Sequence, residues 1–318
     1  MIHNQNISNR KIEKMMKLAV TGGAGFVGSH LIGALYDAGH SIIVIDNLKT
    51  GNKENISKFI GKVELVQGDI RDYDLLKDKF SDVDGVFHEA ALASVPDSFR
   101  IPDEYYDVNV KGTENVFRLA KNYGFKVVYA SSSSVYGNPV KIPIKEDHPT
   151  NPINPYAQTK LDDEKLAKEY CGQGAKIIGL RYFNIYGERQ SRDYAGVIKK
   201  FLSDIYENKP PIINGDGKQT RDFVYVGDVV NANILAMEST IKHGFINIGT
   251  GHSMTILELA KIIIEVSGLP LSPIHRSALE GDIKESVADA SLARELLRWM
   301  PKVNLYDWLK VAIPAKIN

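Results

Sequence analysis

From Lys17 onward the chain alternates two kinds of pattern. Short runs of β-branched and aliphatic residues, LAV, SIIVID, VELVQ, DGVFHEA and KVVYASS, read as strands. Between them, FVGSHLIGALYDAG and DEYYDVNVKGTENVFRLAKNYG repeat their apolar positions with the helical period. Strands that are apolar on both faces and separated by helices pack as a parallel sheet covered on both sides. The first half therefore predicts an α/β fold built on a Rossmann-type doubly wound parallel sheet. IIGLRYFNIYG adds another strand, flanked by the helical patterns NPYAQTKLDDEKLAKEY and GVIKKFLSDIYENK. Beyond residue 185 the signals mix: Pro210 and Pro211, the turn-rich NGDGKQTRD, the strand-like FVYV and NIG, then the helical TILELAKIIIEVSG and SLARELLRWM. They predict a smaller mixed α/β C-terminal substrate domain at the carboxyl ends of the sheet strands, where ligands of such sheets bind.

Composition narrows the partners. With 318 residues, 43% of them hydrophobic, the chain is long enough for two modest domains around real cores. Lys+Arg and Asp+Glu both total 39, so no global field favours nucleic acid or an acidic membrane, and any phosphate must be gripped locally. A single cysteine, Cys171, excludes an internal disulfide and a Cys-based metal cluster; no metal is expected, and a reducing, cytoplasmic setting fits. No segment approaches the roughly 18 apolar residues of a membrane span, and residues 1–16 predict a loose N-terminal extension.

The turn after LAV is TGGAGFVGSH, with Gly22, Gly25 and Gly28 three apart. Glycine there permits a tight turn, brings backbone N–H groups to a pyrophosphate, and lets the next helix pack close with its positive end toward the anion. Asp46 ends SIIVID eighteen residues beyond Gly28, where a carboxylate accepts both ribose hydroxyls of NAD and repels a 2′-phosphate. Asn47 follows it rather than arginine, although Lys49 and Lys53 are near. NAD is the cofactor expected. Asp69 and Ile70 of QGDI would reach its adenine end, although an aspartate in a turn also serves as a local cap.

NPYAQTK sets Tyr156 and Lys160 four residues apart, about one helical turn, so their side-chain ends can meet on one ligand. A free tyrosine, with a pKa of about 10, is a poor base at neutral pH, and a neighbouring ammonium favours its phenolate. The spacing alone equally suits two polar residues on a solvated helix face. Upstream, VVYASSSSVYG ends a strand pattern in four serines, placing hydroxyls where open α/β sheets bind ligands.

TGGAGFVG, DNL, QGDI, HEAA, NVKGT, SSSSVYG, YAQTK and RYFN, in this order, make the chain resemble the extended short-chain dehydrogenase/reductase family. It looks most like the nucleotide-sugar 4-epimerases, of the UDP-glucose 4-epimerase type, from Lys17 to about Pro301. The resemblance implies an NAD-dependent isomerase that inverts carbon 4 of a UDP-sugar, UDP-glucose or UDP-galactose, through a transient 4-keto intermediate. Tyr156 would be the base, and Lys160 would hold its pKa down and bond the nicotinamide ribose. Ser132, four residues before Tyr136 of VYG, would complete the triad, with Ser133 and Ser134 adjacent. Phe26 and Val27 would line the pyrophosphate, Ala90 and Ala91 would let the cofactor pass, and Asn109 would support the active-site strand. Phe183 would touch the nicotinamide and Asn184 the substrate phosphates. GDGKQTRDFVYVGDV resembles the family's nucleotide clamp, which implies that Arg221 pairs with the diphosphate and that Ile213 and Asn214 lie along the uracil or ribose.

Two departures stand out. The family usually carries an arginine just before a late Gly-Asp pair, whereas this chain has Leu279-Glu280-Gly281-Asp282; Arg276 would then have to serve as the second phosphate arginine, beside Asp282. Four residues after Asp282, where strict glucose epimerases carry a tyrosine, Ser286 leaves room for an N-acetyl group, implying UDP-N-acetylglucosamine and UDP-N-acetylgalactosamine as further substrates. The all-serine segment before VYG argues against dehydratases and decarboxylases, which carry an acid there. A UDP-glucuronate 4-epimerase would set Arg189 or Arg192 against a sugar carboxylate, and a non-catalytic dinucleotide sensor would have lost the tyrosine. The resemblance also implies a homodimer through DEYYDVNVKGTENVFRLAKNYG and NPYAQTKLDDEKLAKEY. The expected division is residues 17–185 for NAD, with part of the chain returning later to the sheet, and 186–318 mainly for the nucleotide sugar.

Overall fold

The computed structural model describes residues 15–190, 196–278 and 283–314. Its strands are β1 (Lys17–Thr21), β2 (Ser41–Asp46), β3 (Glu64–Gln67), β4 (Gly85–His88), β5 (Lys126–Ser132) and β6 (Lys176–Tyr182), followed by β7 (Asn184–Tyr186), β8 (Ile212–Asn214), β9 (Thr220–Tyr225), β10 (His243–Ile248), β11 (Ser253–Thr255) and β12 (Ile274–Arg276). Seven form one sheet in the order β3-β2-β1-β4-β5-β6-β10, every neighbouring pair parallel. The chain moves outward from β1 to β3 and then restarts on the other side with β4. Between β1 and β4 the connections therefore diverge, and a crevice opens at the carboxyl ends of these strands.

Both faces of the sheet are buried because successive strand residues point to opposite sides. Leu18 and Val20 join the cluster covered by the helices Phe26–Asp37 and Val226–Glu238, while Ala19 joins the one covered by Gly112–Tyr123 and Pro155–Gly172. A third cluster, around Phe201, Ile213, Tyr225 and Leu259, lies under the smaller sheets β11-β9-β7 and β12-β8. Among the described residues no helix is long and apolar enough to cross a membrane. All but Met15 and Met16 of the expected loose extension lie outside the described residues.

Three departures from the pattern reading bear on the site. IIGLRYFNIYG is two strands: Phe183 N–H donates to Ile248 O, the last carbonyl of β10, at 3.0 Å, and beyond it the chain joins the small sheet as β7. The long helical pattern from Pro102 to Tyr123 contains a wider π turn at Tyr106–Lys111. That turn holds Asn109 inward, where its amide donates to Leu92 O (3.0 Å) and Thr159 Oγ1 (3.0 Å) and accepts from Leu92 N–H (2.8 Å), bonds that offset the irregular ladder. The helices Val95–Arg100 and Val226–Glu238 complete the cover; the pattern reading did not anticipate either.

Candidate active site

β1 runs into Gly22, whose φ of +67° belongs to the left-handed region, and the helix Phe26–Asp37 begins at Gly25. A Cβ on Gly28 would stand 2.3 Å from Gly22 O, and one on Gly22 would stand 2.7 Å from Ala90 N. Only hydrogen fits at either place, so the helix N-terminus packs directly on the strand ends and presents its free N–H groups. They face a cavity of about 710 Å³ lined by Gly22, Gly25, Phe26, Val27 and Gly28 at this end.

Asp46 and Asn47 also line the cavity. Asp46 is buried; its Oδ2 accepts from Ala24 N–H (2.9 Å) and its Oδ1 from Leu48 N–H (2.8 Å). Burial raises its pKa, and the two N–H groups work against that rise. A carboxylate has about four acceptor positions, so capacity remains for two ribose hydroxyls. Lys49 reaches the same wall but is ion-paired with Glu104, which takes up the cation that a 2′-phosphate would need. These residues fit NAD: a glycine cradle for the pyrophosphate and an acid for the ribose.

The other end carries the hydroxyls and the amine. Asn154 caps the helix Pro155–Gly172, accepting Ala157 N–H at 2.8 Å, and Pro155 takes the first position, where no N–H is needed. Tyr156 therefore sits in the first turn with Lys160 in the next, and both line the cavity. Lys160 is buried, with Nζ 3.2 Å from Asp163 Oδ2. Burial works against its charge, but Asp163, Tyr156 and Glu89 outweigh it and raise the lysine pKa. Of the four serines, Ser131 and Ser132 reach the wall, and Ser131 Oγ is committed to Glu164 Oε1 at 2.7 Å. Ser132 Oγ accepts from Ser134 N–H at 3.1 Å and so keeps its own proton to donate.

Ile70, Ala90, Ala91, Phe183 and Asn184 complete the set of anticipated residues found in the wall. Asp69 stands outside it: Arg71 Nε and Nη2 donate to its two oxygens at 2.8 Å, and Asn47 Nδ2 adds a third bond at 2.9 Å. The Arg71 guanidinium holds its carboxyl well below the usual range. Asn109 stands behind the wall, fastening the segment after β4 to the helix of Tyr156. Ile213 is buried in the third cluster. Asn214 and Arg276 meet across the β8–β12 register at a separate hollow of about 250 Å³, with Lys200 and Ser203. Arg221 lies on β9 and donates to Thr220 O at 2.8 Å. Ser286 is buried but is not part of the cavity wall. Asp282 and Arg192 lie outside the described residues.

Residues that the motif reading passed over also line the cavity: Thr50, Asn52 and Asn55 of the segment after β2, Gln190, and Glu89. Glu89 accepts from Tyr182 Oη at 3.0 Å, and burial pushes its carboxyl up to about 7 against that bond and the Lys160 charge. An acid in HEAA, at a strand end facing the crevice, was the available signal. Thr50, Asn52 and Asn55 carry no motif.

The profile of the family described as NAD dependent epimerase/dehydratase matches residues 18–249. A Methanocaldococcus jannaschii protein named "Putative UDP-glucose 4-epimerase" is 43% identical over 298 residues, covering 92% of this chain and 96% of its own. The crystal structure of UDP-glucose 4-epimerase from Thermotoga maritima with UDP-glucose superposes with a TM-score of 0.90 at 36% identity, covering 94% of this chain and 98% of that one. A UDP-N-acetylglucosamine 4-epimerase from Methanobrevibacter ruminantium, in complex with UDP-N-acetylmuramic acid, also gives a TM-score of 0.90, at 38% identity over 95% of this chain and 98% of that one. The glycine turn, the buried Asp46 and the Tyr-Lys turn thus occur in a chain that matches the family along most of its length, and the chain belongs to the NAD dependent epimerase/dehydratase family.

Proposed function

We propose that this protein interconverts the carbon-4 epimers of a UDP-sugar. The observation that carries the reading is that Ser132, Tyr156 and Lys160 line the same cavity as the glycine cradle and Asp46. Bound NAD supplies the hydride acceptor, and later the donor, for the sugar carbon. The Tyr156 phenolate removes the proton of the 4-hydroxyl, while Ser132 donates to the same oxygen and holds it in place. The Lys160 ammonium stabilises that phenolate from one turn away. After the 4-keto sugar turns over its phosphate linkage, Tyr156 returns the proton and the opposite epimer leaves. On this reading residues 17–185 hold the cofactor, and the later segments with Asn214, Arg221 and Arg276 hold the nucleotide.

The small side chain of Ser286, which stands behind the cavity wall rather than in it, is the basis for a sugar range of UDP-glucose and UDP-galactose together with their N-acetylated counterparts. Its segment lies close to the cavity: a Cβ on Gly249 would be 2.6 Å from Ala288 Cβ and 3.2 Å from Phe183. Arg189 reaches the wall, yet its Nη1 donates to Ser29 O at 3.0 Å, which makes it a weaker partner for a glucuronate carboxylate. The test is incubation of purified protein with UDP-glucose, UDP-N-acetylglucosamine and UDP-glucuronate without added cofactor, followed by separation of the epimers. Inversion of the first two is expected; inversion of none would end the reading, and faster inversion of glucuronate would favour the acidic substrate. Ser286→Tyr should lower kcat/KM for the N-acetylated sugar by about 10-fold or more, a loss of about 1.4 kcal/mol, with little change for glucose.

The assembly proposed with this activity is a homodimer. Val95, Phe99, Ile101 and Tyr106 are exposed on the helices beside Gly112–Tyr123 and Pro155–Gly172, and a second copy of the same surface would bury them. Light scattering after gel filtration should give twice the chain mass, and Phe99→Glu should halve it; a wild-type monomer would dismiss this interface.

A further inference from the structure

The helix that carries Tyr156 and Lys160 also carries three consecutive acids, and the fold treats each differently. Asp162 is paired at the surface with Lys165 and Gln158. Glu164 accepts Arg181 through both oxygens, at 2.8 and 2.7 Å, and also Ser131. Asp163 is fully buried and, among the described residues, holds only Lys160 Nζ at 3.2 Å and leaves its second oxygen, Oδ1, without a partner. A buried carboxylate with half its bonds unmade costs stability, and apolar packing would serve the core better. Its one bond goes to a cavity-lining amine, which suggests what the cost sustains.

We infer that Asp163 is a positioning residue for the reaction, whose carboxylate keeps the Lys160 ammonium charged and in place while touching neither substrate nor cofactor. The inference rests on the reading of Tyr156 and Lys160 given above. While Tyr156 is a phenolate, the ammonium has an anion on the cavity side. Once Tyr156 has taken the sugar proton, that anion is gone, and Asp163 is the counter-ion that remains through the second half of the cycle.

The surrounding groups agree. From its own helix Lys160 draws Asp163 toward ionisation while Asp162 and Glu164 oppose it, and burial pushes the carboxyl up to about 7. From β5, Tyr129 is buried with its hydroxyl unpartnered among the described residues, and burial first, then the charges of Glu164 and Asp163, hold it well above the ordinary tyrosine range, against Arg181 of β6 and with Cys171 adding. From the end of β4, burial keeps His88 neutral, its pKa lowered to about 3 with the Lys160 charge adding, while Glu89 raises the Lys160 pKa more weakly than Asp163 does. Glu114 of the neighbouring helix faces Tyr170.

The sign follows from these directions. Asp163 raises the Lys160 pKa, so its removal lets burial pull that pKa down and the ammonium is lost at lower pH. Asp163→Asn should therefore move the alkaline limb of the kcat profile down by about 1 pH unit, so that kcat falls behind the wild type as pH rises through that limb and is about 10-fold lower above it, with KM for the UDP-sugar within about twofold. A profile superimposable on that of the wild type, whatever the melting temperature, would overturn the inference. Lys160→Met, measured beside it, separates the two readings: full activity there would overturn the function instead. Should Asp163→Asn not fold, the reciprocal coupling serves, since Lys160→Met should raise the Asp163 carboxyl pKa followed by 13C NMR. A carboxyl that titrates as in the wild type would then dismiss the coupling.

Discussion

Replacing Tyr156 by phenylalanine is expected to lower kcat by roughly 10²–10⁴-fold, the range spanned by a positioned acid–base group. The ring sits at the cavity wall, partly packed against the core under the sheet, so phenylalanine keeps the contacts and removes only the hydroxyl. Neither the glycine cradle nor Asp46 is touched, and the variant should still retain NAD, read from nicotinamide absorbance after borohydride reduction. The KM for the UDP-sugar should change less than about threefold, because the proton transfer, not the diphosphate grip, has been removed. A variant with more than a tenth of wild-type kcat would refute the assigned base. Loss of NAD together with activity would point instead to a structural role for the phenol.

The second large effect concerns the platform beneath the triad. Arg181 of β6 is bonded to both oxygens of Glu164, to Tyr136 Oη at 2.7 Å and to Glu146 O at 2.9 Å, and Arg181, Glu164 and Tyr136 are buried. The pair ties the helix of Tyr156 and Lys160 to β5 and β6, and Ser131 joins through Glu164. Breaking a buried pair costs about 3–5 kcal/mol because the remaining charge is left unmatched in the interior. Arg181→Leu should therefore lower the melting temperature by on the order of 10 °C. Removing both charges with Arg181→Leu and Glu164→Leu should recover a large part of that loss, since no buried charge is then stranded. If Arg181→Leu melts with the wild type, Glu164 is not held by this pair and the platform argument fails. An equal loss in the double variant would place the stabilisation in the Tyr136 and Glu146 bonds.

How far the site could be read in advance depended on whether the chemistry was local. Gly22, Gly25 and Gly28 act through the backbone they permit, and Tyr156 and Lys160 through a single helical turn, so their geometry followed from spacing. Asp46 was legible because the strand that ends in it also aims it. Asp69 was not, because a turn aspartate can face a ligand or cap its own turn, and here Arg71 and Asn47 take it. The π turn at Tyr106–Lys111 escaped notice because its apolar pattern still fits an ordinary helix, and only the contacts of Asn109 with Leu92 and Thr159 make the extra residue worthwhile. Glu89 and Asp163 read as polar positions at the end of a strand and on a helix, and only packing reveals that both face Lys160.

By itself, then, the amino-acid order determined the alternation of strands and helices, the dinucleotide cradle and the Tyr-Lys turn, because each depends on residues a few positions apart. Only the tertiary structure decided which serine hydroxyl is tied to an acid, which acid from another strand end reaches the lysine, and which strand leaves the large sheet. Those outcomes depend on partners distant in the chain, such as Phe183 with Ile248, Ser131 with Glu164 and Glu89 with Lys160. Burial and charge act through space, and no periodicity along the chain records them.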